Sequence, residues 1–499
     1  MIRSLVLLLC AAALALPASA APRTDVRSWR QSHERAVLEE FETLLAVPNV
    51  ATRVADIELN ADLIVRLLEK RGLTARKLYA APGTPPAIYA ELKTPGARRT
   101  VAYYAHYDGQ PVTPSQWTSP PFTPTLRAGA ETVDWRKAAA IDPEWRLFAR
   151  GASDDKVSVM AMLAAIDALK AAGRKPSVNI KLFFDGEEEM GSPHLKAILE
   201  QNRALLKADL WLIGDGPVHQ SRRMQVVFGA RGVTDLEATV YGPARALHSG
   251  HYGNWAPNPA VMAAELVGQL RDSEGRILIP GFAHTVRPLT PAEQAALDVL
   301  PPVEDQLRAD LRIGRTEGSQ RLGDSLMRPA LNVRGIRAGA VGEEAANAIP
   351  TEARVSIDFR LVPGQTPAQV REKTEAWLAA KGWTIVHGPQ AERPRGARVV
   401  RLDWGDGGYP AYRSDLGSTE ARAVVAAVNA GRGEPAILMP MLGGSVPLAL
   451  FDEVFGAPVI VIPIANHDNN QHAANENIRL QNLWDGIETY AGLFSALKW

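Results

Sequence analysis

Thr100-Val101-Ala102-Tyr103-Tyr104-Ala105-His106-Tyr107-Asp108-Gly109-Gln110-Pro111 decides how the rest of this chain is read. The apolar run Thr100 to Tyr104 predicts a buried strand, and it delivers His106 and Asp108 just past its end. Two residues apart on extended backbone, that pair shares one face. Two more apolar runs end in the same way. Val178 to Phe184 leads into Gly186-Glu187-Glu188-Glu189, and Leu210 to Ile213 leads into Gly214-Asp215-Gly216. Between them, Gly151-Ala152-Ser153-Asp154-Asp155-Lys156 opens a helical pattern over Val157 to Ala172. Helical spacing recurs at Ala36 to Leu45, Ala61 to Lys70 and His194 to Leu206, and Ala87 to Leu92 reads as a further strand. Such alternation predicts an α/β layer, a mainly parallel sheet flanked by helices. Ligands of such sheets gather beyond the carboxyl ends of the strands. His106, Glu188, Glu189 and Asp215 all fall there.

Outward from this layer the pattern changes near residue 232. Val233 to Val240 reads as a strand, followed by a Gly/His/Asn-rich loop, Leu247-His248-Ser249-Gly250-His251-Tyr252-Gly253-Asn254. A helix is expected from Pro259 to Arg271, then a Pro-rich irregular stretch to about 330, a strand at Arg354 to Leu361 and a helix at Pro367 to Lys381. We therefore expect a smaller α+β domain (232–400) inserted into a catalytic α/β domain built from 21–231 and 401–499. Ala457 to Ile464 is a late apolar run preceding His472, and 128–146, with Trp135 and Trp145, reads as a surface loop.

The 499 residues exceed what one ordinary core organises, so two domains are the default. Lys plus Arg equals Asp plus Glu at 55 each, which speaks against a nucleic-acid or anionic-membrane partner. The N-terminus carries Arg3, an apolar run from Leu5 to Leu16 and Ala18-Ser19-Ala20, the pattern of a cleaved signal peptide over 1–20. Export to a bacterial periplasm or the medium is the expectation, with no membrane association after cleavage. The single cysteine, Cys10, lies inside that segment, so disulfides, thiolate ligands and a cysteine nucleophile drop out together.

Singly, the polar residues have ordinary explanations. A His-x-Asp pair is common, Asp154-Asp155 could simply favour a helix N-terminus, and Asp215 between glycines could be a turn aspartate. Three consecutive glutamates usually form a solvated turn. Together and mostly at strand ends, they present two imidazoles (His106, His472) and three carboxylates. That is the donor set for two divalent metals sharing one carboxylate, with a further carboxylate left to move protons. His467 competes with His472 for the second imidazole, but lacks the Asn475-Glu476 that follows Ala473-Ala474.

With these motifs in view, the chain resembles the dinuclear zinc metallopeptidase family of carnosinases, bacterial dipeptidases, aminoacylases, desuccinylases and glutamate carboxypeptidases. The resemblance covers essentially all of the mature chain. It implies that His106 and Asp215 hold one metal, Glu189 and His472 the other, and that Asp154 bridges them. It also implies Glu188 as general base, Asp108 as support for His106, and a cis Asp154–Asp155 peptide. His106-x-Asp108-x-Gln110-Pro111 and Asp154-Asp155-Lys156 are similar to the carnosinase-like dipeptidase branch. In the inserted domain, His248 resembles a histidine that reaches the substrate carbonyl from the neighbouring subunit of a homodimer. Arg360 in Asp358-Phe359-Arg360-Leu361-Val362-Pro363 resembles the arginine that takes the substrate carboxylate, where a guanidinium fork can bind both oxygens. Gly444 and Ser445 would serve the same carboxylate. The chain departs from the family at Val157, at Gly109 and in the 128–146 insertion, none of which is a ligand or the base.

The expected reaction is hydrolysis of the amide bond of dipeptides or short peptides with a free C-terminal carboxylate. Two divalent metals, Zn2+ with Mn2+ or Co2+ fitting the same donors, activate a bridging hydroxide whose proton Glu188 takes and passes to the departing amine. Deacylation of N-acyl amino acids on the same scaffold is the alternative, and an inactive binding relative a more distant one. His33-Glu34 has Val37 where a zincin needs histidine, and no nucleophile elbow or P-loop occurs.

Overall fold

Residues 22–388, 396 and 398–499 are described by the computed structural model; the expected signal peptide lies outside them. The frame begins with β1 (Ala75–Leu78), β2 (Ala87–Leu92), β3 (Thr100–His106), β4 (Asn179–Asp185), β5 (Leu210–Ile213) and β6 (Gln225–Val227). β7 (Gly229–Tyr241) follows, and β8 (Ile437–Met439) and β9 (Val459–Val461) come much later. All but β7 form one eight-stranded sheet in the order β1-β2-β4-β3-β5-β9-β6-β8. Its centre, β4-β3-β5-β9, is parallel, while β1-β2, β2-β4 and β9-β6 are antiparallel.

Both faces of this sheet are covered, which is why its strands read as continuous apolar runs. Side chains alternate between two cores. Val101, Tyr103 and Ala105 of β3, with Leu210 and Leu212 of β5, face α1 (Pro22–Leu45), α3 (Lys156–Ala171) and the 480–496 helix; α2 (Val54–Lys70) also packs into this core. Ala102, Tyr104, Trp211 and Ile213 face Leu195, Ile198, Leu448 and Phe451 on the opposite side. Helix α3 is buried nearly all round, so its first residue, Lys156, has no route to water. The Lys156 ammonium instead donates to the carbonyls of Leu44 (2.9 Å) and Val47 (3.0 Å), tying the start of α3 to the end of α1.

β7 joins this layer to a second sheet. Its first residues pair with 412–413 and 442–445, and from Gly232 onward it pairs with 352–361 and then 399–404. The expected change of pattern at 231–232 thus occurs inside one unbroken strand. The second sheet runs 330–338, 352–361, β7, 399–404, 384–386, with α4 (Pro259–Leu270) and α5 (Pro367–Ala380) packed on one face through Leu266, Leu270, Val370 and Leu378. The opposite face carries exposed Arg334 and Glu237 with half-buried Ser356, the alternation of a half-solvated sheet. The chain is thus α/β with an inserted, smaller α+β part.

Three expectations need correction. The 128–146 stretch is not a plain surface loop: 125–128, 131–132 and 146–148 form a four-stranded sheet with 477–479. Trp135 within it is buried and donates to Glu42 Oε1 at 2.7 Å, so a core contact fixes what looked like loop. The single helix expected over His194 to Leu206 breaks at Asn202, whose side chain donates to the Ile198 carbonyl at 2.9 Å. The irregular stretch to 330 holds three short helices, 291–298, 304–311 and 322–326.

Candidate metal centre and substrate cavity

The carboxyl ends of β3, β4 and β5 converge on one cluster. His106 is the last residue of β3 and fully buried; its Nε2 lies 3.0 Å from Asp154 Oδ1. Its Nδ1 is 3.3 Å from Asp108 Oδ1, at an angle too poor for a full hydrogen bond. The Asp108 carboxylate also accepts from the backbone N–H of Glu188 (3.1 Å) and of Glu189 (2.9 Å). One side chain therefore supports the imidazole and fastens the glutamate loop. That loop turns tightly at Gly186, where a Cβ would come within 2.5 Å of the Tyr107 hydroxyl.

Asp154 and Asp155 precede α3 through a cis peptide bond, as the resemblance implies. Asp154 lies between the two imidazoles: Oδ1 faces His106 and Oδ2 faces His472 Nε2 at 3.1 Å. His472 Nε2 also stands 3.2 Å from Glu189 Oε2. Its backbone is left-handed at φ 62°, a conformation uncommon for a residue with a Cβ and found where the surroundings over-determine it. His472, not His467, joins the cluster.

Two groups emerge whose potential ligand atoms lie within 4.8 Å of one another, His106 with Asp155 and Asp215, and Asp154 with Glu189 and His472. Asp155 is the residue that sequence reasoning missed as a donor. Its helix-opening position, the cis peptide and the Asp154-Asp155-Lys156 motif drew notice but not a donor role, whereas its Oδ1 is buried without a hydrogen bond, as is Glu189 Oε1. Gln110 and Gln471 were also missed: their amides donate to Glu189 Oε2 (2.7 Å) and Asp154 Oδ2 (2.8 Å). Gln110 stood in the first motif with no physical role visible there.

So many carboxylates in one dry place are under electrostatic pressure. Burial, despite the nearby His106, pushes Glu188 well above the ordinary carboxylate range. Burial with neighbouring Asp154 pushes Glu189 up to about 7 and Asp215 up to about 6. Burial acts on Asp154 in the same sense, but His106 and His472 outweigh it and hold that group well below its usual value. His472 in turn is raised to about 11, first by its contacts with Asp154 and Glu189. Divalent cations would relieve this excess of buried negative charge, and imidazole plus carboxylate is a donor set that holds them. The residues present fit two such ions.

A cavity of about 380 Å³ opens beside the cluster, lined among others by Asp154, Glu188, Asp215, His472, Arg360 and Ser445. Glu188 Oε2 is 4.0 Å from His106 Nε2. Arg360 is steered by Asp358, which accepts from its Nε at 2.9 Å, and its Nη1 donates to Ser445 Oγ at 2.8 Å. Gly444 lines the same wall. His248 does not: it is exposed, its Nδ1 accepting from the Gly250 N–H at 3.1 Å.

Behind the cluster, Glu476 is fully buried and its carboxylate accepts five hydrogen bonds. Oε1 takes Ser153 N (2.9 Å), Ser153 Oγ (3.1 Å) and Asp154 N (3.0 Å), and Oε2 takes Gly151 N (3.0 Å) and Arg150 Nη1 (2.7 Å). The loop bearing His472 is thereby bonded to the loop bearing Asp154.

Comparison with known proteins gives a consistent result. A sequence model described as peptidase family M20/M25/M40 matches residues 102–496. Cys-Gly metallodipeptidase dug1 of Schizosaccharomyces pombe is 26% identical over 480 residues, covering 91% of this chain and 94% of that protein. Beta-Ala-His dipeptidase of Homo sapiens is 27% identical, covering 82% of this chain and 77% of its own length. Among solved structures, the metallo-carboxypeptidase Sso-CP2 from Sulfolobus solfataricus superposes with a TM-score of 0.76 at 28% identity, over 92% of this chain and 99% of the other.

Proposed function

The chain belongs to peptidase family M20/M25/M40, and from that premise we propose that it is a metal-dependent dipeptidase acting on short peptides with a free C-terminal carboxylate. The observation that carries this reading is the joining, in one cavity, of two clustered donor groups with Arg360, Gly444 and Ser445. The first calls for cations, the second for an anion a short distance away. A peptide whose scissile carbonyl lies at the donor groups places its terminal carboxylate at the guanidinium.

In this reading His106 and Asp215 hold one cation and Glu189 and His472 the other, with Asp154 between them and Asp155 near the first. Zinc is the proposed metal, manganese and cobalt being compatible with the same donors. When bound, such a pair supplies Lewis-acid polarisation of a carbonyl and acidification of water. Glu188 takes the proton of the attacking water and returns it to the departing amine. Asp108 keeps the His106 ring oriented and the Glu188 loop in place, while Arg360, Gly444 and Ser445 hold the carboxylate and fix the register of the scissile bond.

His248 enters through a second copy of the chain. Among the described residues, the outer strand of the second sheet, 330–338, has a free edge with Ile336 exposed, and Trp255, near His248, is 80% exposed. Unpaired edges and exposed apolar side chains favour pairing between copies. Export is also part of the proposal and rests on Arg3, Leu5 to Leu16 and Ala18-Ser19-Ala20; among the described residues no helix is long and apolar enough to cross a membrane.

The test is a panel of dipeptides and N-acetyl amino acids offered to stripped protein reloaded with zinc, manganese or cobalt. Metal-dependent release of free amino acids from dipeptides is expected. Cleavage of the N-acetyl compounds alone would replace the dipeptidase by a deacylase.

A further inference from the structure

Beyond Arg360 the cavity continues over a surface that the proposed reaction leaves unused. Its wall comes from three segments: Leu300, the short helix with Leu322 and Leu326, and, distant in sequence, Met439 to Leu442. The pieces fit closely. A Cβ on Gly323 would lie 2.5 Å from Leu300 Cδ1, and one on Gly443 would lie 2.8 Å from Leu326 Cδ2. Leu442 leans over Gly216, where a Cβ would lie 3.1 Å from its Cδ2. The apolar wall thus begins beside Gly444 and Ser445 and reaches the residue next to Asp215.

The charged groups on this wall are already engaged. Glu304 accepts from the N–H of Leu322 (3.0 Å) and of Val303 (3.2 Å), and Arg321 pairs with Asp324 at 2.9 Å. His219, Gln220 and Gln225 line the same cavity, so an entering side chain meets leucine and methionine with a few polar neighbours rather than an open charge. Met439 and Met441 are buried and unbranched, so they can adapt to different apolar shapes.

We propose that this wall is a specificity pocket for the C-terminal residue, selecting dipeptides that end in a large apolar side chain such as leucine, methionine or phenylalanine. This rests on the dipeptidase reading, because Arg360 must hold the carboxylate for the adjoining side chain to reach the wall. Burying such a side chain should raise kcat/KM about ten- to a hundredfold over glycine.

The experiment compares Ala-Gly, Ala-Asp, Ala-His, Ala-Leu and Ala-Phe on the zinc-loaded protein. Ala-Leu and Ala-Phe should lead, chiefly through lower KM. Leu326→Ala should shrink the Leu/Gly ratio, and Leu326→Arg should shift preference toward Ala-Asp. Calorimetric binding of free leucine against free glycine reads the same pocket without turnover, and guards against a variant that fails to fold. Equal or better cleavage of Ala-Gly, or glycine binding as tightly as leucine, overturns the pocket while leaving the dipeptidase intact. Tighter leucine binding with no cleavage of any dipeptide keeps the pocket and removes the proposed activity.

Discussion

Replacing Glu476 by glutamine removes one charge and turns one acceptor oxygen into a donor, at a position where every neighbour donates. With the new NH2 at Oε2 it faces Arg150 Nη1 and Gly151 N; at Oε1 it faces the N–H groups of Ser153 and Asp154. Either way two buried donors lose their acceptor, each at about 1–3 kcal/mol. Arg150 and Glu476 are both buried, and breaking such a pair costs about 3–5 kcal/mol because the remaining charge is uncompensated. These effects share one carboxylate and do not add, so the expected loss is about 4 kcal/mol, a large part of the ~5–15 kcal/mol that holds a protein folded. Urea unfolding of the metal-stripped protein measures it. If Glu476 also positions the loops of Asp154 and His472, zinc affinity should drop by about 10–100-fold, the usual effect of removing a partner behind the ligands. Competition with a chromophoric chelator reads this on folded protein, and Glu476→Asp, which retains the charge, should fall between. A destabilised Glu476→Gln that binds zinc as tightly as the wild type would refute the positioning role and leave Glu476 as packing alone.

Glu188→Gln should cut turnover by about a thousandfold with metal content nearly unchanged; full activity would sink the assignment of the base. Arg360→Ala should raise KM by about a hundredfold, and Arg360→Lys should recover only part, since an ammonium cannot fork onto a carboxylate; unchanged KM in both speaks against a carboxylate at this site. His219 is held down at about 4 from an ordinary 6.5, first by burial, with Arg223 and His467 adding and Glu304 opposing. As pH falls from 6.5 toward 4 the unfolded chain binds a proton that the folded one refuses, so stability should fall across that window. Urea midpoints of the wild type and His219→Gln test this, the variant losing that part of the slope.

The large sheet was legible because strands covered on both faces leave long apolar runs: Leu210 to Ile213 and Ala87 to Leu92 match the observed strands residue for residue. The short helices between 280 and 330 were hidden by prolines and by having too few turns to show a period. Strands of two to four residues, such as 131–132 and 146–148, are likewise too brief to alternate visibly. Of the site, His106, Asp154, Glu188, Glu189, Asp215 and His472 stood out because each belongs to a motif, and the fold brings them together. Asp155, Gln110 and Glu476 also lie in those motifs, but their roles, like that of Gln471, stayed hidden because they come from contacts with residues distant along the chain. His248 shows the reverse: a legible motif whose side chain this one chain leaves at the surface.

The bond from Glu476 to the 150–154 loop also makes the site depend on the last part of the chain. Every strand of the eight-stranded sheet, β9 included, is made before His472 and Glu476 are. The 480–496 helix, which covers one face of that sheet, comes later still. Core and site are thus closed by the same last segment: without the chain beyond β9, one imidazole, the carboxylate that binds the Asp154 loop and the cover of the sheet are lost together.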